Sequence, residues 1–110
     1  MNLDKQMNKS RIYHTLLINV LPAKYEIFNE YEKIVLQVLP KYNGKLELRL
    51  KTDKNENDSD IPDEIHIISF KSESDFENYL NDEERKKHLY MFESSVIKAK
   101  LIKGVNLIIQ

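Results

Sequence analysis

The segment KLELRLK (45–51) alternates apolar and charged side chains without a break, with Leu46, Leu48 and Leu50 on one side and Lys45, Glu47, Arg49 and Lys51 on the other. That period of two predicts a strand covered on one face only, its leucines turned toward a helix layer. RIYHTLLINV (11–20) and IHIISF (65–70) carry β-branched and aromatic residues on both faces, which predicts two largely buried strands. Between the first two strands, Ile27, Phe28, Tyr31, Ile34, Val35, Val38 and Leu39 recur at helical spacing and predict a helix over 23–39. Leu21-Pro22 separates that helix from the first strand, Pro40 ends it, and Asn43-Gly44 turns the chain.

After the third strand, Ser72 or Ser74 is placed to cap a helix with Phe76, Tyr79 and Leu80 on its apolar side. Asn81-Asp82 then caps a further helical segment, expected to run from Glu83 to about Lys98 and to bury Leu89, Phe92 and Val96. AKLIKGVNLII (99–109) closes as a fourth strand. Residues 52–64, TDKNENDSDIPDE, hold six acidic side chains against one lysine and predict a solvated hairpin loop, disordered at its tip. Its acids lack the spacing of a calcium loop.

The order is βαββαβ, an α+β chain of the ferredoxin-like type, with a flexible tail at 1–10 and a single domain over 11–110. Its two crossovers place both helices on one face of a four-stranded antiparallel sheet. The other face, apolar in part, is left without a cover from the same chain. Covering it with RNA would need paired aromatics and a basic-Gly-aromatic signature, which the third strand lacks. Packing against a second copy remains.

The stretches YEKIVLQVLPKYNGKLELR and EIHIISFKSESDFENYLNDEERKK resemble the dimeric α/β-barrel superfamily, close to its small families of unknown function that are similar to antibiotic-biosynthesis monooxygenases. The resemblance extends over about residues 11–105. It implies a symmetric homodimer whose two sheets form a barrel, and in some members a ligand cavity between each sheet and its helices. It also implies an enzymatic alternative, cofactor-independent oxygenation or isomerisation of a small aromatic or carbonyl compound. The haem-degrading branch uses a tryptophan, and this chain has none.

Composition narrows the chemistry. The 17 basic and 18 acidic residues leave a net charge of −1, without the basic excess that nucleic-acid binding requires. No cysteine is present, so thiolate metal sites, disulfides and a Cys nucleophile are excluded, and a reducing cytoplasm is the expected compartment. With Gly44 and Gly104 as the only glycines, no phosphate-cradling loop can form. No apolar run is long enough to span a bilayer, so no membrane association is expected. No cofactor or metal is expected either.

Three polar residues are the candidates for a site. Alternation places Arg49 on the face away from the helices, and His66 joins it there if Ile65 and Ile67 face the helices. Arg49 and His66 are therefore the candidate ligand-binding pair, suited to a small organic acid or carbonyl compound. His14 and His66 are the candidate catalytic acid and base, with the face of His14 left open. His88, in ERKKHLY, is expected on a helix surface. The functions compatible with this pattern are a ligand-binding or structural homodimer and the enzymatic alternative above.

Overall fold

A computed structural model describes residues 10–55 and 57–108. Strand β1 (Ile12–Val20) leads through a 3-10 turn at Pro22–Lys24 into helix α1 (Tyr25–Val38). A second 3-10 turn, Leu39–Tyr42, precedes the hairpin of β2 (Lys45–Lys51) and β3 (Glu64–Phe70). Three short helices follow, α2 (Glu73–Leu80), α3 (Glu83–Lys87) and α4 (Leu89–Ser95), before β4 (Val96–Val105). The four strands form one antiparallel sheet in the order β2-β3-β1-β4. This is the ferredoxin-like α+β fold that the element order predicts. The expected tail lies outside the described residues except at Ser10.

Local chemistry sets each boundary. Of the two serines before α2, Ser72 is the cap, its hydroxyl accepting from the Asp75 N–H at 3.1 Å. Asp82 caps α3 in the same way, accepting from the Arg85 N–H at 2.9 Å, and also accepts from the Tyr42 hydroxyl at 2.7 Å. Pro40 tightens the end of α1 into the 3-10 turn, and Asn43 leaves it with φ 57° in the left-handed region. Gly44 is needed for space: a Cβ there would sit 2.7 Å from Phe70 Cε1 and 2.8 Å from the Leu39 carbonyl oxygen.

The helical segment expected to reach Lys98 stops earlier. It breaks at His88 between α3 and α4, and Val96 belongs to β4. His88 is half-buried at the break, with Nδ1 2.9 Å from the Glu84 carbonyl. Val96 and Ala99 pair with Val20 and Ile18 of β1, and the β-branched Val96 and Ile97 favour that pleated arrangement over a continued helix.

The core lies between the helices and one sheet face. Phe70, Ile68, Tyr31, Val35, Leu39, Phe76 and Tyr79 form its larger cluster, and Ile18, Val20 and Phe28 a smaller one.

The faces of β2 and β3 differ from the sequence expectation. Lys45 and Leu46 pair with Ser69 and Ile68, whereas Leu48, Arg49 and Leu50 pair with Ile67, His66 and Ile65. Glu47 is the extra residue of a bulge, and it reverses the alternation that follows. Leu46 therefore keeps the helix side, while Leu48 and Leu50 turn to the open face beside Ile65 and Ile67. Arg49 and His66, expected on the open face, both lie under the helices. A bulge is invisible to a count of alternating residues.

The acidic loop is also more structured than expected. Asn19 Nδ2 donates to the Ile61 carbonyl at 3.1 Å, Asp63 accepts from the Val20 N–H at 2.7 Å, and Lys54 pairs with Asp63 at 3.1 Å. These contacts tie its described residues down over the end of β1.

Candidate functional site

A group of buried polar side chains lies between α1 and the β2–β3 hairpin. Glu64 and His66, two residues apart on β3, project the same way, and Glu32 faces them from α1. All three are 3–4% exposed. His66 Nε2 lies 2.8 Å from Glu64 Oε1, and its Nδ1 lies 3.4 Å from Glu32 Oε1. Arg49 comes in from β2, donating from Nε to Glu64 Oε1 at 2.7 Å and from a terminal nitrogen to Glu64 Oε2 at 3.2 Å. The same terminal nitrogen donates to Asn29 Oδ1 on α1 at 2.8 Å. The Tyr25 hydroxyl completes the group by donating to Glu64 Oε2.

The two carboxyls diverge. Burial pushes Glu64 up, but hydrogen bonds from His66, Arg49 and Tyr25 outweigh it and hold the group at about 2. Burial also pushes Glu32 up, and there the charges of His66 and Arg49 offset it only in part. One imidazole is thus flanked by a carboxylate that holds its charge and a carboxyl that favours its proton. Such a set can pass a proton across the imidazole, and it also fastens α1 to the sheet. Arg49, 30% exposed at its side chain, links the buried Glu64 carboxylate to the surface at Asn29.

His14 also faces the helices, in different surroundings. Its ring stacks on Phe76 with centroids 3.7 Å apart and an interplanar angle of 14°. It is 1% exposed and neither nitrogen has a hydrogen-bond partner. Burial lowers its proton affinity, with the Glu73 charge opposing and Lys103 assisting. His14 pairs across the sheet with Ile68, and His66 with Leu16. The two histidines share a face, but His14 packs among aromatic rings while His66 lies among carboxylates.

Arg49 and His66 are therefore joined, through Glu64, on the side of the sheet opposite to the one expected. Sequence reasoning did not single out Glu64, Glu32, Tyr25 or Asn29. Glu32 had a legible signal, since it stands four residues after Phe28 on the apolar stripe of α1. Among the described residues no group of three or more His, Asp or Glu side chains is placed as metal ligands would be. No described helix is long and apolar enough to cross a membrane.

No family model matches the chain, and no curated protein does. Solved structures do match it in fold. A protein of unknown function from Rhodopseudomonas palustris superposes with a TM-score of 0.78 at 14% identity, covering 96% of this chain and 92% of its own. A putative antibiotic biosynthesis monooxygenase from Bacteroides thetaiotaomicron gives 0.69 at 16% identity, covering 92% and 93%. A dimeric ferredoxin-like protein of unknown function from Thermobifida fusca gives 0.63 at 12% identity, covering 88% and 92%. The structural neighbours are thus ferredoxin-like proteins, some monooxygenase-like and several of unknown function. At these identities the likeness extends to the fold.

Proposed function

We propose that the chain works as a symmetric homodimer joined through its open sheet face, and that each subunit binds one small organic acid or carbonyl compound at Arg49 and His66. The apolar belt on that face carries the reading. Leu48, Ile67, Thr15 and Ile102 line up across the four strands, and Leu50, Ile65 and Leu17 form the next row. Leu48, Leu50 and Ile102 are 43%, 44% and 45% exposed, although they belong to the two edge strands rather than to loops. Polar groups bound the belt at each end: Arg11, Ser69 and Glu47 hydrogen-bonded together at one, and the anchored loop at the other. An apolar patch of this kind in water favours burial against a matching surface, and its own two-fold copy provides one. The Thermobifida fusca neighbour, described as dimeric, supports the same arrangement. A cysteine-free chain suits a reducing cytoplasm.

For the ligand, the support is Arg49. Its terminal nitrogen reaches the surface beside Asn29, where a carboxylate or carbonyl oxygen can replace the Asn29 contact, and His66 lies behind it on the shared Glu64. A second reading, cofactor-independent oxygenation or isomerisation, is favoured by the two carboxyls of opposite proton affinity on either side of His66.

Sedimentation tests the dimer. The wild type is expected to be dimeric at micromolar concentration, and Leu48→Lys with Ile67→Lys to give a folded monomer; a monomeric wild type refutes it. Amide shifts on titration with benzoate and with acetophenone test the ligand site. Saturable changes at Asn29, Arg49 and His66, weakened in Arg49→Lys, are expected, and their absence refutes the ligand site. Turnover of acetophenone-type or phenolic compounds under air, lost in His66→Gln, is the outcome that selects the enzymatic reading.

A further inference from the structure

We infer that the cleft at the end of the sheet, between β1, the start of β4 and the anchored loop, is a separate binding site for a small organic anion with an apolar body. The cleft has a volume of about 740 Å³ and is open to solvent, within the size range of small-molecule sites. Its charged lining is mostly cationic. Lys51, Lys54 and Lys98 border it, and Asp63 is the only acidic side chain among the described lining residues.

Asp63 is already occupied. One of its oxygens lies 3.1 Å from Lys54 Nζ and the other accepts from the Val20 N–H at 2.7 Å. Lys54 is likewise satisfied, since it also donates to the Ile61 carbonyl at 3.0 Å. Lys51 and Lys98 are left without a carboxylate partner among the described residues. Lys51 Nζ lies 4.1 Å from the centroid of the Tyr25 ring, which holds the cation over an aromatic face without neutralising it. Two lysines without a carboxylate partner among the described residues thus border one concave space, one from each edge strand, on a chain whose net charge is −1.

Val20, Pro22 and Ile97 give the lining an apolar part, with Ile97 58% exposed. Lysines and aliphatic surface along the same cleft match a molecule carrying a carboxylate or phosphate on a hydrophobic body. Lysine binds either anion as a point charge with three donors, so both headgroups fit the same chemistry. The site is distinct from Arg49 and His66, which lie under α1, and it does not depend on the reading proposed for them.

Phenyl phosphate, benzoate, inorganic phosphate and benzyl alcohol, titrated into the full chain labelled with nitrogen-15 at fixed low ionic strength, test the proposal. Phenyl phosphate or benzoate is expected to shift the amides of Asn19, Val20, Lys51, Thr52 and Lys98 saturably, and the stronger of the two identifies the headgroup. Inorganic phosphate should bind more weakly for want of an apolar body, and benzyl alcohol not measurably. The double variant Lys51→Gln, Lys98→Gln should weaken the better ligand about tenfold, while Lys33→Gln, on the exposed side of α1, should leave it unchanged. Shifts confined to Asn29, Arg49 and His66 would place anions at the other site and refute this one. Unaltered affinity in the double variant, an equal loss in Lys33→Gln, or phosphate binding as tightly as phenyl phosphate would overturn it as well.

Discussion

Replacing Glu64 with Gln should be among the most damaging single changes outside the apolar core, and its cost should depend on pH in a defined way. The carboxylate of Glu64 accepts from Arg49 twice, from His66 and from Tyr25. Folding takes its proton affinity from an ordinary 4.5 to about 2, which corresponds to about 3 kcal/mol of stability at neutral pH. Because the folded value lies below the unfolded one, that contribution is complete above pH 4.5 and is lost as pH falls through about 2. Glu64→Gln should therefore lose about 3 kcal/mol at pH 7 and lack this share of the wild type's acid sensitivity, so that the two curves approach each other toward pH 2. Urea unfolding at a series of pH values, with protein concentration held fixed because association and folding are linked, measures both quantities. Arg49→Met with and without Glu64→Gln completes a double-mutant cycle. A loss below about 1 kcal/mol at pH 7, the size of an exposed ion pair, would refute the reasoning. So would parallel acid limbs in the two proteins.

Glu32→Gln should act in the opposite direction. Burial raises its proton affinity in the folded state, so the ionised form weakens the fold as pH rises above the ordinary carboxylate value. The variant should melt higher than the wild type at pH 7–8, with the gain shrinking toward pH 4, as followed by circular dichroism. Gly44→Ala should lose roughly 1–3 kcal/mol from crowding against Phe70 and the Leu39 carbonyl, read as a lower urea midpoint with an unchanged slope. Asn19→Ala removes the side-chain donor to the loop carbonyls; hydrogen exchange in residues 57–63 should quicken while the amides of β3 keep their protection.

Much of the fold was legible because its signals are local. The apolar stripe of α1, the cap at Ser72, the stop at Pro40 and the turn at Asn43-Gly44 each rest on residues within a few positions of one another. The adjacency of β1 with β3 and of β2 with β3 followed from the element order alone. The candidate site was less legible because sheet faces depend on an unbroken count, and Glu47 breaks it. The local cue for a bulge was absent, since no glycine or proline marks the position. The pairing of Arg49 with His66 survives because both residues changed face together, Arg49 by the bulge and His66 because Phe70, Ile68 and Glu64 share its side of β3. Glu32 and Glu64 went unnoticed for a different reason. Charged residues are normally read as solvated, and their burial is tolerable here only because Arg49 and His66 arrive from other segments of the chain.

The bulge at Glu47 also bears on how this strand can change over generations. In a regular strand, losing one codon slides everything beyond it by one position and exchanges inside for outside. Here Leu46 and Leu48 already face consecutive residues of β3, Ile68 and Ile67. Removing Glu47 would therefore leave each remaining β2 residue opposite its present neighbour, whereas removing Leu48 would keep Arg49 against His66 but set the charge of Glu47 opposite Ile67, inside the apolar belt of the open face. Glu47 behaves as a retained insertion, and the hairpin is tolerant of a length change at that codon and intolerant one step further along.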